Sequence, residues 1–423
     1  MSGAVPSRAH APSLREGRSL PPADRAVPQL HGLLDGDAMA GVLERSLRGG
    51  WSVEDLRLTL VDYRPASGAT VAYAVTVGGE RLTAVASAGA VLSSEALRTD
   101  KRRAIARALG GSDSPIARPL TYDVGLGALV QWYPLDLAMP VLARPVPELL
   151  RHVARSGIAI DPVAGPARTL LYRPGQRAVV RAGDVVLKAY AEDASFRAGI
   201  AGLRIASGLD FGRGPQLHGA LADLRLTVQA AIGGEPVPRS RACEVAPVAG
   251  AMLAVLHDAD LPGLEPAPPR AMLEAAAHGA GLVAAVLPQL ARRVRHLLAR
   301  LEEHAPEPGA MVASHGDFNI SQFLDLDGAL AIVDFDEACL APAAYDVAAY
   351  AANVVSGRPG DLERADAALD ALLGGYGARP ADLDWYLAAL LLRRAPSPFR
   401  LHKRRWPDRL EAMVAAAEEA LGR

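Results

Sequence analysis

The segment SHGDFNISQFLDLDGALAIVDFDEACLAPAAYDVA, residues 314–348, decides the fold of this chain. It places Asp317 and Asp334 at the ends of short apolar strands, with Gln322 between them. Carboxylates beside an apolar core are costly unless they bind something. One carboxylate to accept the proton of an attacking hydroxyl, and two oxygen ligands for magnesium, are what phosphoryl transfer needs. The segment therefore predicts a hairpin that carries a phosphoryl-transfer site.

The same segment resembles the catalytic-loop motif HxDxxxxN, followed by an apolar strand and Asp, of the aminoglycoside phosphotransferase and choline kinase superfamily. Its members are small-molecule kinases with a protein-kinase-like fold. By this resemblance Asp317 is the catalytic base, Asp334 binds magnesium, and His315 is a structural residue beneath the catalytic loop. Asp346 matches the acid that braces the loop.

Gln322 stands where the superfamily commonly has Asn. Glutamine offers the same neutral amide oxygen on a longer stem, so the resemblance still implies a magnesium ligand. The variant HGDxxxxQ followed by Asp-Phe is similar to the pattern of maltokinase-like members and related bacterial phosphotransferases. We interpret the glutamine as a mark of a subfamily, and an inactive pseudokinase is the alternative.

Lysine is scarce in this chain, which has lysines only at Lys101, Lys188 and Lys403 among 45 basic residues. Lys101 and Lys403 lie in arginine-rich runs, which are typical of solvated faces. Lys188 lies instead within the apolar strand VVLKAY, and one interpretation is an edge-strand lysine that reaches water. By the resemblance, Lys188 holds the α and β phosphates of ATP.

Other parts of the nucleotide site have weaker signals. There is no GxGxxG motif, and Gly175 in the turn RPGQR either lets backbone amides approach the phosphates or forms an ordinary turn. Glu192 and Asp193 are the candidates for an acid that orients Lys188. The segment LTVQAAIGGEPV, which contains Gln229, resembles the hinge that meets adenine, and a plain strand and turn is the alternative.

Composition bounds the class of protein. The 423 residues are 50% hydrophobic and carry a formal net charge of −2, which indicates a globular protein and disfavours nucleic acid as a partner. The sequence has no signal-peptide pattern and no apolar run long enough for a bilayer, so no membrane partner is expected. Cys243 and Cys339 match no metal-ligand spacing and fit the reducing cytoplasm. The sequence leaves the oligomeric state open.

The expected fold class is α+β. We expect a bilobal protein-kinase-like fold, with a small β-rich N-lobe and a larger helical C-lobe, preceded by an extra N-terminal α+β segment. The expected domains are a disordered arm over residues 1–27, an accessory or cap segment over 28–150, the N-lobe over 151–235, and the helical lobe with the catalytic loop over 236–423.

Two blocks of the chain share one layout. Each contains Tyr-Arg-Pro, at residues 63–65 and 172–174, and then two apolar strands around a tight turn, Gly78-Gly79 or Gly183-Asp184. The accessory segment is thus either a degenerate duplicate of the N-lobe or a chance recurrence of hairpins. If it is a duplicate, Thr83 lies where Lys188 lies in the second copy.

Apolar periodicity predicts helices in the C-terminal half. The predicted helices cover 245–257, 269–302, 361–373 with a stop at Gly374-Gly375, 381–394, and a last one from Pro407. Between the last two lies APSPFRLHKRRWP, which is either a solvated basic face or a segment that helps to close the substrate side.

The proposed reaction that follows from these residues is ATP- and Mg²⁺-dependent phosphorylation of a hydroxyl on a small-molecule substrate, such as an aminoglycoside, an amino alcohol or a sugar. A maltokinase-like sugar kinase and a nucleotide-binding pseudokinase are the alternatives. Protein-kinase activity is disfavoured, because Gly precedes Asp317 and about ten residues between Asp334 and Asp346 leave no room for an activation loop. Asp325, Asp336 and Glu337 are acids that either meet a cationic or polyhydroxyl substrate or are simply solvated.

Overall fold

The structure is a computed structural model that describes residues 19–89, 114–162, 165–209, 214–261, 263–307 and 309–423. The chain divides into two compact units. The first comprises Met1–Ala143 and Pro398–Pro407, and the second comprises Arg144–Ser397 and Asp408–Arg423. Of the helices in these described ranges, none combines the length and apolar character that a membrane crossing requires.

The described residues of the first unit begin with two short helices, which are followed by an antiparallel sheet of strand order β1-β2-β3-β5-β4. Gly78 and Gly79, with φ of 58° and 76°, turn the chain between β2 and β3, which confirms the hairpin expected at this Gly-Gly pair. The elements are α1 (Leu30–Leu34), α2 (Gly36–Glu44), β1 (Asp55–Arg64), β2 (Gly68–Val77), β3 (Glu80–Gly89), β4 (Leu120–Asp123) and β5 (Ala128–Trp132).

Residues 19–27, which composition assigned to a disordered arm, make specific contacts. The Asp24 carboxylate accepts hydrogen bonds from the Ala66 amide and the Tyr63 hydroxyl, both at 2.8 Å. These two bonds lower the pKa of Asp24 below its ordinary value. The disordered-arm prediction is therefore wrong for residues 19–27, because composition does not reveal such a contact, and residues 1–18 lie outside the described chain.

The segment Pro398–Pro407 packs within the first unit. The Phe399 ring makes edge contacts with Tyr63, at 6.4 Å between ring centroids, and with Trp406 at 5.0 Å. Trp406 Nε1 donates to the carbonyl oxygen of Ser19 at 2.8 Å. The interpretation as a solvated basic face is wrong for these aromatic side chains, because both are buried in the core of this unit.

The second unit begins with α3 (Val146–Arg155) and a second antiparallel sheet, of strand order β6-β7-β8-β10-β9. Because β8 has a neighbour on each side, an edge-strand position for Lys188 is excluded. The sheet consists of β6 (Ala167–Arg173), β7 (Arg177–Ala182), β8 (Val185–Tyr190), β9 (Leu217–Leu221) and β10 (Leu226–Ala230), and α4 (Asp193–Gly208) connects β8 to β9.

The two sheets share their strand order and the geometry of their turns. Three-residue turns follow β1 and β6, and the middle residue of each, Ala66 or Gly175, has a φ of 58° or 64°. Four-residue connections precede β5 and β10, and the last residue of each, Gly127 or Arg225, has a φ of 68° or 46°. Both sheets thus place a left-handed residue at the same two turns, and the duplication stays a prediction. The helix that the first copy would contain falls within residues 90–113, outside the described chain.

The rest of the second unit is mainly helical, with two small sheets of order β11-β13-β14 and β12-β15. This arrangement, a sheet followed by a larger helical part, confirms the α+β fold class. The strands are β11 (Glu235–Pro236), β12 (Val312–Ser314), β13 (Phe323–Leu326), β14 (Ala329–Ile332) and β15 (Cys339–Ala341). The helices, including two that cross the unit boundary, are α5 (Ala242–Asp258), α6 (Pro269–Val286), α7 (Ala291–Glu303), α8 (Ala344–Gly357), α9 (Leu362–Tyr376), α10 (Leu383–Arg394), α11 (Ser397–Arg400) and α12 (Trp406–Leu421).

Two helix predictions are corrected by the structure. The single helix expected over 269–302 is two helices, α6 and α7, because Leu287 leaves the helical conformation before Pro288, as residues before proline often do. The stop expected at Gly374-Gly375 is wrong, since α9 continues to Tyr376. A Cβ on Gly375 would lie 1.9 Å from the Pro247 carbonyl oxygen, so this glycine lets α9 approach α5 closely.

Candidate active site

The loop that carries Asp317 begins directly after β12 and turns at Gly316. This glycine has a φ of 81°, and a Cβ at its position would lie 1.8 Å from the carbonyl oxygen of Glu337. Only glycine satisfies both the left-handed backbone and this close approach. The local structure of the loop therefore requires a glycine at the position before Asp317.

Asp346, in the first turn of α8, holds the start of this loop. Its two carboxylate oxygens accept hydrogen bonds from the backbone amides of His315 at 2.7 Å and Gly316 at 3.0 Å. Its side chain is completely buried. These contacts agree with the loop-bracing role that the resemblance implies for Asp346.

His315 lies beneath the loop and is fully buried. Its Nδ1 accepts a hydrogen bond from the Asp317 amide at 3.3 Å, and its Nε2 lies 3.1 Å from the Val333 carbonyl oxygen. Because a carbonyl only accepts, Nε2 carries the hydrogen. His315 thus ties the loop to the chain just before Asp334, as expected of a structural residue.

The Asp317 carboxylate is held on both sides. Gln322 donates from Nε2 to Oδ2 at 2.9 Å, and Arg394 donates from Nη2 to Oδ1 at 2.8 Å. The Asp317 side chain is still 31% exposed, so its carboxylate is accessible from solvent. Arg394, in the last turn of α10, was not identified in the sequence, where it appears only as part of an ordinary helix end.

Lys188 and the acids after β14 form a second cluster. Lys188 is 4% exposed, and its Nζ donates to Oδ1 of Asp334 and Oδ1 of Asp336, each at 2.8 Å. Burial by itself lowers the pKa of Lys188, but the two carboxylates outweigh it and raise the pKa above its ordinary value. Lys188 is therefore charged and aimed at the acids of the motif.

Arg177 on β7 is a second cation in this cluster that the sequence reasoning missed. It donates from Nη1 and Nη2 to the two oxygens of Asp334, each at 3.1 Å, and also to Asp336. Burial would raise the pKa of Asp334, but Lys188 and Arg177 bring it well below its ordinary value. The available signal was the strand alternation, because Val179 lies opposite Lys188 and Arg177, two residues before Val179, lies on the same face.

Helix α4 packs directly on the turn that carries these acids. A Cβ on Gly202 would lie 1.8 Å from the carbonyl oxygen of Phe335, the residue between Asp334 and Asp336. Asp193, at the start of α4, lies 3.5 Å from Arg225 and is 70% exposed. The proposed pairing of Lys188 with Glu192 or Asp193 does not occur in this structure, and Asp336 takes that place because the packed turn brings it closer.

Gln229 lies on β10 on the same face of the sheet as Lys188, since Gln229 pairs with Val186 and Thr227 pairs with Lys188. The Oε1 atom of Gln229 is buried and has no hydrogen-bond partner among the described residues. Gly175 lies in the turn between β6 and β7, and among the described residues beyond its chain neighbours no atom lies within 4 Å of the point where a Cβ would lie. A buried acceptor without a partner and an open turn both fit the edge of a nucleotide site.

The three acids proposed to meet a cationic substrate are already paired. Asp325 lies 2.5 Å from Arg241, Glu337 lies 3.4 Å from Arg393, and Asp336 contacts Lys188. Their charges are balanced within the chain, which argues against the role of a cation-binding surface.

The donor chemistry of the site fits Mg²⁺. The described residues contain no cluster of three His, Cys, Asp or Glu side chains that suits a metal. Asp334 and Gln322 nevertheless supply carboxylate and amide oxygens, the ligands that Mg²⁺ prefers when it completes its shell with water and phosphate. The amide nitrogen of Gln322 donates to Asp317, so the amide oxygen of Gln322 is the atom available to bind the metal ion.

Part of the chain matches a known protein family. The model of the phosphotransferase enzyme family matches residues 192–386, which include α4, the catalytic loop and the first four residues of α10 but not Lys188. No curated protein matches the chain.

Several solved structures resemble the chain at low identity. A choline/ethanolamine kinase family protein from Mesorhizobium loti is 18% identical, with 65% of this chain and 95% of that chain covered and a TM-score of 0.46. A spectinomycin phosphotransferase in complex with ADP and spectinomycin is 14% identical, with 66% and 98% covered and a TM-score of 0.45. A choline kinase from Cryptosporidium parvum is 12% identical, with 64% and 95% covered and a TM-score of 0.49.

The family match confirms the predicted superfamily and the predicted class of enzyme, a small-molecule phosphotransferase. The maltokinase-like assignment of the Gln322 variant stays a prediction. The match to the phosphotransferase enzyme family covers residues 192–386, somewhat less than half of this chain.

Proposed function

We propose that this protein transfers the γ-phosphoryl group of ATP, with Mg²⁺, to a hydroxyl of a small polar molecule. One observation carries the proposal: Lys188 Nζ lies 2.8 Å from Asp334 Oδ1, although the two residues are 146 positions apart. The fold thus joins the expected phosphate-binding cation to the expected metal-binding acid, which phosphoryl transfer requires.

Lys188 and Arg177 are the nucleotide-binding cations in this proposal. Both now pair with Asp334, and they offer an ammonium and a guanidinium fork where a polyphosphate would lie. The unpartnered Oε1 of Gln229, on the same face of the sheet, would accept a hydrogen bond from the base, and Gly175 would line the phosphates. Asp334 and Gln322 would hold Mg²⁺, which when bound neutralises charge on the phosphates.

Asp317 is the proposed base for the acceptor. Its partly exposed carboxylate would accept the proton of the acceptor hydroxyl while the hydroxyl oxygen attacks the γ-phosphorus and ADP leaves. Gln322 and Arg394 hold the carboxylate in one orientation, so the hydroxyl meets a positioned acceptor. His315 and Asp346 keep the loop itself in place.

The test is ATP consumption against a panel of aminoglycosides, sugars including maltose, and amino alcohols, with mass spectrometry of the acceptor. We expect at least one acceptor to gain a phosphoryl group, and Asp317→Ala to reduce that turnover by about a thousandfold or more. Maltose as the preferred acceptor would favour the maltokinase-like alternative. If no acceptor produces turnover that Asp317→Ala abolishes, the enzyme proposal fails and the pseudokinase alternative gains.

A further inference from the structure

A cavity of about 260 Å³ in the second unit lies beside the catalytic loop. Its eight lining residues include Arg239, Arg358 and Arg364 but no Asp or Glu. Ile320, three residues after Asp317, forms part of its wall. Pockets that bind small molecules are mostly apolar, with a few placed polar groups, so a concentration of three cations points to an anionic ligand.

The cavity is electrostatically continuous with the catalytic loop. The pKa of Arg239 is lowered, first by partial burial and then by the positive charge of Arg394. Arg394 in turn donates to Asp317 at 2.8 Å. Arg239 in the cavity wall thus lies close enough to Arg394 to experience its charge, and Arg394 contacts the proposed base.

The cations of the cavity lack the partners that other arginines of this unit have. Arg364 donates from Nη2 to the Ser240 carbonyl oxygen at 3.0 Å, a neutral acceptor. Within the described ranges, Arg239, Arg358 and Arg364 form no ion pair with an acid. By contrast, Arg177, Arg241 and Arg393 each contact a carboxylate.

Like charges that share a wall repel one another. Guanidinium groups remain charged at neutral pH, so this repulsion persists until an anion binds. Forked Arg donors match the oxygens of a carboxylate or a phosphate group. The cavity thus has the charge and the donor geometry of an anion site.

Resting on the proposed function, we propose that the phosphate acceptor is itself acidic: its carboxylate or phosphate group binds Arg239, Arg358 and Arg364 while its hydroxyl lies at Asp317. The pairing of Asp325, Asp336 and Glu337 with basic side chains supports the same conclusion, because these three carboxylates already have cationic partners within the chain.

The experiment compares acceptors that differ in charge on one scaffold. Glucose, glucosamine, glucuronate and glucose 6-phosphate form one series, and glycerol, D-glycerate and glycerol 3-phosphate form another. We expect kcat/KM to be about ten- to a hundredfold higher for the acidic members than for their neutral counterparts. Comparison of glucuronate with glucose 6-phosphate, and of D-glycerate with glycerol 3-phosphate, shows whether the cavity prefers a carboxylate or a phosphate group.

Two variants test the cavity directly. Arg239→Gln should remove most of the preference for acidic acceptors, with little effect on neutral ones, and Arg358→Gln serves as a second variant if the first fails to fold. Arg270→Gln is the matched control, because Arg270 is 87% exposed and lies outside the cavity lining. A preference for neutral or cationic acceptors that Arg239→Gln leaves unchanged would overturn the inference and leave the proposed function intact.

Absence of turnover with every acceptor would count against the proposed function, and binding would then decide the inference. Isothermal titration calorimetry with glucuronate and with glucose 6-phosphate is run on the wild type, Arg239→Gln and Arg270→Gln. Binding that only Arg239→Gln weakens, by about tenfold or more, supports an anion site in this cavity. Equal binding by all three proteins, or none by the wild type, contradicts it.

Discussion

Arg394 Nη2 lies 2.8 Å from Oδ1 of Asp317 and forms an ion pair in which the arginine is 18% exposed and the acid 31% exposed. The end of α10 thereby reaches the catalytic loop, 77 positions earlier in the chain. With Gln322 on the other oxygen, the pair fixes the plane of the carboxylate. Arg394 does not contact the reacting atoms of the proposed mechanism, so we regard it as a positioning residue.

Arg394→Gln should lower kcat by about ten- to a hundredfold, because Asp317 then rotates more freely relative to the acceptor hydroxyl. The KM for ATP should stay unchanged, since Arg394 makes no contact with the Lys188 cluster. Arg394→Lys keeps the charge and should recover part of the loss. Steady-state kinetics with the acceptor found in the panel measures both constants, and a lysine variant no better than the glutamine variant would contradict this role.

Lys188→Ala should weaken ATP binding by about tenfold or more, because it removes a buried cation from the proposed phosphate site. Lys403→Ala is the matched control, since Lys403 is exposed in an arginine-rich run of the first unit. Lys101→Ala should likewise have no effect, although Lys101 falls in a part of the chain outside the described residues. Calorimetry with ATP distinguishes the three, and equal behaviour would refute the assignment of Lys188.

Lys188→Arg extends the same experiment. A guanidinium is larger and planar, and the lysine side chain is only 5% exposed between Asp334 and Asp336. We expect the arginine variant to bind ATP less well than the wild type even though it keeps the charge. Full recovery by Lys188→Arg would show that charge alone, without the compact ammonium, is sufficient.

The stability contributed by Asp334 should depend on pH. In the folded protein, burial acts to raise its pKa, but Lys188 and Arg177 bring the pKa below the ordinary value of 3.8. A carboxyl group with a depressed pKa stabilises the fold above that ordinary value, and the contribution is lost as the pH falls through the folded pKa. The wild type should therefore exceed Asp334→Asn in the free energy of unfolding at neutral pH, by on the order of 1–3 kcal/mol.

Urea denaturation of both proteins over a range of pH measures this difference. It should be constant near neutrality and shrink below about pH 4. An advantage of the wild type that persists unchanged in acid would show that the ion pairs of Asp334 do not stabilise the fold.

Gly202→Ala should destabilise the protein by about 1–3 kcal/mol and lower turnover, because its Cβ would lie 1.8 Å from the Phe335 carbonyl oxygen and displace the turn that carries Asp334. Gly208→Ala, in the same helix, would place its Cβ more than 4 Å from any described atom outside its own helix and its chain neighbours and should be neutral or slightly stabilising. Thermal unfolding and kcat of the two variants test this. Equal effects would mean that α4 does not support the catalytic turn through Gly202.

The local features of the site were predictable from the sequence. Asp317, Gln322, Asp334 and Asp346 lie within one segment of about thirty residues, so their spacing is visible without knowledge of the fold. Lys188 was identifiable because a charged residue in an apolar strand is energetically costly unless it has a charged or hydrogen-bonding partner. The Gly78-Gly79 hairpin was predictable because two left-handed residues are a property of the turn itself.

Features that depend on distant contacts were not predictable in this way. Gly375 looked like a helix stop, yet it allows two helices to touch, and only the packing of α5 on α9 distinguishes these roles. Composition predicts disorder for residues 19–27, yet the Tyr63 hydroxyl and the Ala66 amide donate hydrogen bonds to Asp24 in this segment.

The candidate site residues are recognisable in the sequence, because a motif and strand periodicity arise from neighbours along the chain. The partners of these side chains depend on the tertiary structure. Arg177 and Arg394 reach Asp334 and Asp317 across 157 and 77 positions, through sheet register and helix packing that no short segment encodes. The same packing brings three arginines and no acid together in the lining of one cavity. The proposed preference for an acidic substrate therefore depends on the folded structure.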